Sequence, residues 1–304
     1  MDRILPVFEK NYPLESRDAV WNNCMDVART VELNEFNLEN MASTPLVSGF
    51  GGKGGMVEII RLAEALGVCG IGNPENDAFC GKRIPPHSNL DGLNVDEMLD
   101  KIQAALPFPI DFPPFSGNCL PGIQTKYGVT SNRNIFYLWV VKRILELCPY
   151  RNAGVIEIGA GFGVLGYYLS KLGYLDYTTI DLALVNACQT YFLAKNLPHR
   201  HIILSGEVPD PFDNRRVDSI KLLHSTDFKK IPTGRFLIMV NMDGLTEYGI
   251  GEATKYIQYD CAEMLFSINH EANPFSVCEI PQHRKRQYRY PFWLRPGYVE
   301  ELYV

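Results

Sequence analysis

Residues 155–173, VIEIGAGFGVLGYYLSKLG, join a four-residue apolar run holding one acid to a cluster of glycines and then to an amphipathic stretch. A run that short, stopped by glycine, suits a buried strand, while residues 164–172 carry helical spacing. Strand, tight turn and helix in that order open a βαβ unit, and such units build a mostly parallel sheet with helices on its faces. The sequence downstream keeps the alternation. YTTIDL reads as a second strand ending at Asp181, LVNACQTYFLAKN as its helix stopped by Pro198, and HIILSG as a third strand. GRFLIMVNMD is the fourth, GEATKYIQYDCAEM its helix and LFSINHE the fifth. The tail from Phe275 reads as two further strands, an antiparallel hairpin on the sheet edge. The architecture expected is α/β and Rossmann-like, with a central, mostly parallel seven-stranded sheet.

Upstream the pattern is helical. SRDAVWNNCMDVARTVEL sets Val20, Trp21, Cys24, Val27, Ala28 and Val31 on one stripe, and MVEIIRLAEALG is a short helix closed by Gly67. NVDEMLDKIQAAL opens with Asn94 and Glu97 at capping-box spacing. Five prolines in residues 106–122 then impose an extended connector. After it, NRNIFYLWVVKRILELC is an amphipathic helix ended by Pro149. The boundary falls there: 1–120 is a mainly helical region and 121–304 the sheet domain. The helical region suits a cover over a substrate cleft or a homodimer contact.

A net charge of −6 argues against a general nucleic-acid binder, which needs a basic surface to displace counterions. No run approaches the ~20 apolar residues of a membrane span, and the N-terminus lacks a signal-peptide stretch. Eight cysteines without a C-x-x-C, several in apolar contexts such as Cys148 and Cys188, look like reduced thiols of a cytoplasmic protein.

The glycines admit two ligands. Gly161, Gly163 and Gly166 satisfy the G-x-G-x-x-G pattern of dinucleotide sites, whereas Glu157, Gly159, Gly161 and Gly163 form the acid-x-G-x-G-x-G turn of S-adenosylmethionine enzymes. The dinucleotide pattern places its first glycine straight after the strand. Counted from Gly159, its third glycine falls on Val164, so register disfavours a dinucleotide. Glu157 points the same way, because a pyrophosphate beside it would be repelled while an ammonium group would be met. Asp181 can accept both hydroxyls of a ribose under either reading.

Sequence beyond the turn is more specific. TIDLALVNACQTYFLA, LIMVNMDGLTEYG, FSINHE and RPGYVEELYV resemble the bacterial sugar O-methyltransferase family. Asp181, Leu182, Gln189, Tyr191 and Leu193 match its D-L-x-x-x-x-x-x-Q-x-Y-x-L stretch. Asn241 and Glu247 match a second segment, with Val240 for its isoleucine, Gly244 for a frequent serine and Tyr248 for a frequent methionine. The resemblance runs from about residue 123 onward. It implies a class I S-adenosylmethionine-dependent methyltransferase fold and methyl transfer to a hydroxyl of a sugar or glycosylated metabolite. Cofactor contacts are then expected from Glu157, Gly159, Ala160, Gly161, Gly163, Asp181, Leu182 and Asn241, with Ser205 and Gly206 at the adenine.

A sugar hydroxyl is weakly acidic, so a group at the ends of strands four and five must take its proton. His270 is the first candidate, since its pKa lies near the operating pH, with Asp243 and Glu247 as the others. Glu247 reads equally well as a cap of the next helix. Asp243, Glu247 and Glu271 permit Mg²⁺ without demanding it, and no metal ligand is assigned. Tyr127 and Asn132 sit on a loop able to fold over the cofactor, although a solvated turn before the helix explains them as well. His224, in KLLHSTDF, reads as a surface histidine before strand four. GFGGKGGMV, residues 49–57, lacks the spacing of a phosphate loop, leaving either a loop or a lid in which Lys53 meets an anionic acceptor. HRKRQYRY, residues 283–290, reads as a solvated edge hairpin, with contact to a phosphate or uronic acid on the acceptor as the alternative. The rivals to a methyltransferase are an NAD(P)-dependent oxidoreductase and a catalytically silent binding protein on the same fold.

Overall fold

The computed structural model describes residues 1–12, 26–28, 30–47, 54–69, 94–213 and 218–304. Val20, Trp21 and Cys24 of the first helical stripe, and Lys53 with most of its glycine loop, lie outside these. Labels below number the described elements in chain order.

Eight strands form one sheet. From edge to edge they run β5 (Ile202–Leu204), β6 (Ser219–His224), β4 (Asp176–Asp181), β3 (Val155–Ile158), β7 (Phe236–Met242), β8 (Ala262–His270), β10 (Tyr298–Tyr303) and β9 (Arg286–Pro291). The strands from β5 to β8 are parallel, and β10 and β9 close the edge as an antiparallel pair. A separate short hairpin, β1 (Ile123–Thr125) and β2 (Gly128–Thr130), precedes the sheet. This is the expected Rossmann-like α/β arrangement with one strand more than expected. The addition is β6, which pairs directly with β4 and displaces β5 to the edge. Lys221 interrupts its apolar run, yet its side chain is fully buried because Nζ meets Asp176 Oδ1 at 2.7 Å. His224, expected at the surface, is fully buried at the end of β6 in register with Asp181.

Helix α1 (Ile4–Asn11) packs on α8 (Ala183–Asn196), and α3 (Met56–Ala65) packs on both α4 (Val95–Ala105) and α6 (Asn132–Leu147). Between α1 and α3 lies the short α2 (Glu35–Glu39), and α5 (Ser116–Cys119) follows the proline-rich stretch. The Asn94 side chain caps α4 by accepting from the Glu97 amide at 3.2 Å, as the spacing implies. Helices α6, α7 (Val164–Lys171) and α8 cover one sheet face, and α9 (Ile250–Gln258) joins β7 to β8. Strand alternation splits β3 between two cores. Val155 joins the α6–α8 core and Ile156 and Ile158 the opposite one, so Glu157 points beneath the α6–α8 layer. Residues of 1–120, among them Leu38, Ile59, Leu62 and Leu99, belong to the same core as Val155 and Phe192. The described residues of 1–120 that form these helices share their core with the sheet. Among the described residues no helix is long and apolar enough to cross a membrane.

Candidate functional site

At the carboxyl ends of β3, β4 and β7 lies a cleft of about 630 Å³. Its floor is the glycine turn. Gly159 (φ 70°) and Gly161 (φ 55°) are left-handed, a conformation glycine adopts without steric cost. An added Cβ at Gly159 would also lie 2.9 Å from the Tyr248 hydroxyl. Bare backbone therefore faces the cleft. Ala160 and Phe162 continue the lining, and Gly163 caps α7 just behind it. Gly166, the third glycine of the dinucleotide pattern, serves packing: a Cβ there would drive into the Tyr177 ring, with Cδ1 at 2.9 Å.

Asp181 stands on the next strand end with its carboxylate toward the turn. Oδ2 accepts from the Gly161 amide at 3.2 Å and from Gln189 Nε2 at 3.0 Å, while Oδ1 accepts from the Leu182 amide at 2.8 Å. Gln189 is held in turn by Thr179, whose hydroxyl donates to Gln189 Oε1 at 3.0 Å. Leu182 and Val185 give this end of the cleft an apolar wall.

The opposite end is polar. Asp243, just past β7, is the one non-glycine at positive φ (62°) among the described residues. Such a backbone costs of order 1–3 kcal/mol and persists only where its surroundings fix it. Here they do. Its amide donates to Ile268 O at 2.8 Å, Oδ1 accepts from the Tyr298 hydroxyl at 2.5 Å, and Oδ2 takes Arg295 together with Arg133 at 3.3 Å. Glu247 and Tyr248 line the same end from the turn before α9. The N-cap of α9 is Gly249, which has no side chain to offer.

Seven of the residues expected from sequence thus meet in one cleft: Gly159, Ala160, Gly161, Asp181, Leu182, Asp243 and Glu247. Others do not line it. Glu157 is fully buried under the helices, where its carboxylate accepts from the Tyr137 hydroxyl at 2.9 Å and from that of Tyr177. Burial pushes its pKa from 4.5 up to about 7 against the pull of those two hydrogen bonds. Asn241 is buried too, donating to Ile158 O at 2.7 Å and accepting from Leu245 N and Asn269 Nδ2; it ties strand ends together. Ser205 and Gly206 follow the displaced edge strand. Ser205 donates to Asp227, and an added Cβ at Gly206 would lie 2.7 Å from Lys10 Nζ, so the Lys10 side chain of α1 lies over Gly206.

His270 sits outside the lining as well. Its Nδ1 accepts from the Ala272 amide at 3.0 Å, and its ring stands edge-on to Tyr298 at 4.9 Å. Tyr127 donates to Asp100 at 2.6 Å and, like Asn132, is not part of the cleft wall. Among the described residues no cluster of three His, Cys, Asp or Glu side chains is placed to hold a metal ion.

Three polar side chains that line the cleft are not legible from sequence as site residues: Arg133, Tyr137 and Tyr248. Arg133 and Tyr137 lie on α6, ahead of the glycine turn, where sequence shows only an amphipathic helix. Their signal is the i, i+4 spacing of a charge and a phenol near the helix start.

No protein-family model matches the chain, and no curated protein does. Solved structures do. The tRNA (uracil-54, C5)-methyltransferase of Pyrococcus abyssi, in complex with S-adenosyl-L-homocysteine, aligns over 58% of this chain at 10% identity with a TM-score of 0.39. Only 39% of that protein's length is spanned. The magnesium protoporphyrin IX methyltransferase of Synechocystis PCC 6803 with bound SAM aligns over 56% of this chain and 77% of its own, at 14% identity and a TM-score of 0.38. The methyltransferase domain of a bacterial CtHen1 aligns over 54% and 97%, at 10% identity and a TM-score of 0.35.

Proposed function

We propose that the cleft binds S-adenosylmethionine and that the chain transfers its methyl group to a hydroxyl of a small molecule. The observation that carries this reading is a side-chain-free turn that opens with Gly159 straight after β3, leaving Val164 where a dinucleotide turn needs its third glycine, with Asp181, Leu182 and Val185 in the same cleft. A carboxylate there can accept both hydroxyls of a ribose, and the apolar wall suits the flat face of a base. The cofactor, when bound, supplies an activated methyl group for in-line displacement. The protein supplies position and a proton acceptor.

For the proton acceptor, Glu247 replaces His270. Glu247 lines the cleft and His270 does not. A carboxylate beside the acceptor hydroxyl takes its proton as the carbon–oxygen bond forms. That the acceptor is a sugar rests on the resemblance of residues 181–193 and 240–248 to the sugar O-methyltransferases.

The reading is tested by titrating the protein with S-adenosylhomocysteine and with NADH. Only the first should bind, and Asp181→Ala should weaken it by roughly 10- to 100-fold, the scale of charge-assisted hydrogen bonds. Binding of NADH instead overturns it, and binding of neither does so too. A mass screen across candidate sugars, for the gain of one methylene, then identifies the acceptor; bound cofactor with no methylated product would favour a silent binding protein. With the acceptor in hand, Glu247→Gln should slow turnover about 100-fold or more, whereas His270→Ala should leave it within a few-fold. The reverse ranking would return the role to His270.

A further inference from the structure

Between β7 and α9 the chain makes one turn of 3-10 helix, Leu245–Glu247, entered through Gly244. A 3-10 helix has three residues per turn, so positions i and i+3 lie one above the other. Gly244 and Glu247 accordingly both line the cleft, while Leu245 between them is fully buried in the core on the other side of the sheet. Within the turn the Glu247 amide donates to Gly244 O at 3.0 Å. The amides at the start of any helix find no partner inside it, and a turn this short depends on outside groups to hold its place.

Two buried asparagines supply them. Asn241 Oδ1 accepts from the Leu245 amide at 3.0 Å, and Asn269 Oδ1 accepts from the Gly244 amide at 3.2 Å, with the Thr246 amide and hydroxyl at 3.5 Å. Asn269 is fixed in turn. Its Nδ2 donates to Asn241 Oδ1 and to Ser267 Oγ, both at 2.8 Å, so both amide hydrogens are used and the orientation of the group is set. Asn241 Nδ2 donates to Ile158 O at 2.7 Å, on the strand that leads into the glycine turn. An added Cβ at Gly244 would lie 2.9 Å from that same nitrogen, so the glycine permits the close approach. On its other side the Thr246 hydroxyl accepts from Asn273 Nδ2 at 2.6 Å. Asn269 is buried and is not part of the cleft wall; its polar atoms serve the turn. A buried polar network with its groups satisfied is rigid.

We propose that Asn269 is a positioning residue for methyl transfer: paired with Asn241, it ties the 245–247 turn to the strand ends and so fixes where the Glu247 carboxylate stands over the cleft. This rests on the reading of Glu247 as the proton acceptor and adds what aims it. A base works only within hydrogen-bond reach of the proton it takes, and a misplacement of about 1 Å caused from outside the site can cost roughly 100-fold.

Asn269→Asp keeps the shape and one oxygen but replaces the group that donates to Asn241 and Ser267 with an acceptor. Ser267→Ala is milder, removing one of the two contacts that orient the amide and no part of the turn. Turnover is followed by mass with S-adenosylmethionine and a panel of hexoses, hexuronic acids and nucleotide sugars, the member giving most product serving for kcat and KM. Asn269→Asp should lower kcat about 10- to 100-fold and Ser267→Ala about fivefold. Both should keep the acceptor KM and the calorimetric affinity for S-adenosylhomocysteine within about threefold, a split that general loss of folding does not give. In the Glu247→Gln background Asn269→Asp should cost less than about twofold more, because a base that is absent cannot be misaimed. Should Asn269→Asp fail to fold, Ser267→Ala completes the same cycle. If the two substitutions act additively, or S-adenosylhomocysteine binding falls in step with turnover, the proposal fails while Glu247 keeps its role. If Glu247→Gln turns over like the wild type, or no member of the panel is methylated, the reading of Glu247 fails and the proposal with it.

Discussion

Glu157 is the residue where spacing and orientation part company. The acid-x-G-x-G-x-G pattern places it two positions before the turn, but a strand alternates its side chains, and Gly159 occupies the tip from which a side chain would reach the cleft. Glu157 instead lies between the hydroxyls of Tyr137 and Tyr177. Sequence showed the motif; it could not show two phenols arriving from α6 and β4. The raised pKa has a consequence for stability. An unfolded glutamate releases its proton near 4.5 and the folded one near 7, so between these values only the folded state keeps it. Stability then falls as pH rises through this window and levels above it. At 1.36 kcal/mol per pKa unit, the loss between pH 5 and pH 8 comes to roughly 2–3 kcal/mol. Glu157→Gln should remove that part of the slope. Urea unfolding of both proteins at the two pH values measures it, and parallel pH dependence would refute the assignment.

At the scale of elements, the parts with one clear period were legible. The βαβ unit at 155–172, the capped α4, the connector after it and the antiparallel edge hairpin all follow from pattern and turn chemistry. HRKRQYRY is mostly exposed on the edge strand β9, as a charged edge should be. Strand β6 was not legible, because a lysine in its middle looks like a surface residue. Burial of Lys221 becomes tolerable only through Asp176, which also takes Arg235 at 2.5 Å, and that pairing joins positions 45 and 59 residues apart. Missing β6 moved the site by one strand. It set Ser205 next to Asp181's strand end, where His224 stands in register with Asp181. It also hid the part played by α1, whose Arg3 donates to Ile202 O at 2.6 Å and whose Lys10 lies over Gly206, covering the end of the displaced edge strand. The candidate site divides the same way. Groups carried by the strand ends were found from spacing, and those delivered by α6 were not.

For the whole molecule, the split at residue 120 marks a change of pattern more than a seam in the packing. Aromatic pairs cross it: Phe108 meets Tyr168 at 6.2 Å and Phe115 meets Tyr191 at 5.8 Å. So do polar ties, with the Tyr191 hydroxyl donating to Glu39 at 2.7 Å and Trp293 Nε1 donating to Glu64 at 2.9 Å under the Arg61 guanidinium. Helix α3 also braces α6, and α6 carries both Arg133 and Tyr137 into the cleft. An independent sheet domain would bury these surfaces against its own residues; here residues 1–120 bury them. The fragment 121–304 should therefore unfold without a cooperative urea transition and bind S-adenosylhomocysteine at least tenfold more weakly than the full chain, because domains whose core is borrowed lose two-state behaviour when the lender is cut away. A sharp transition and full-strength binding by the fragment would instead make the N-terminal region an appendage. Its place would then be over the acceptor alone, with the cofactor end of the cleft built entirely by the sheet and its own helices.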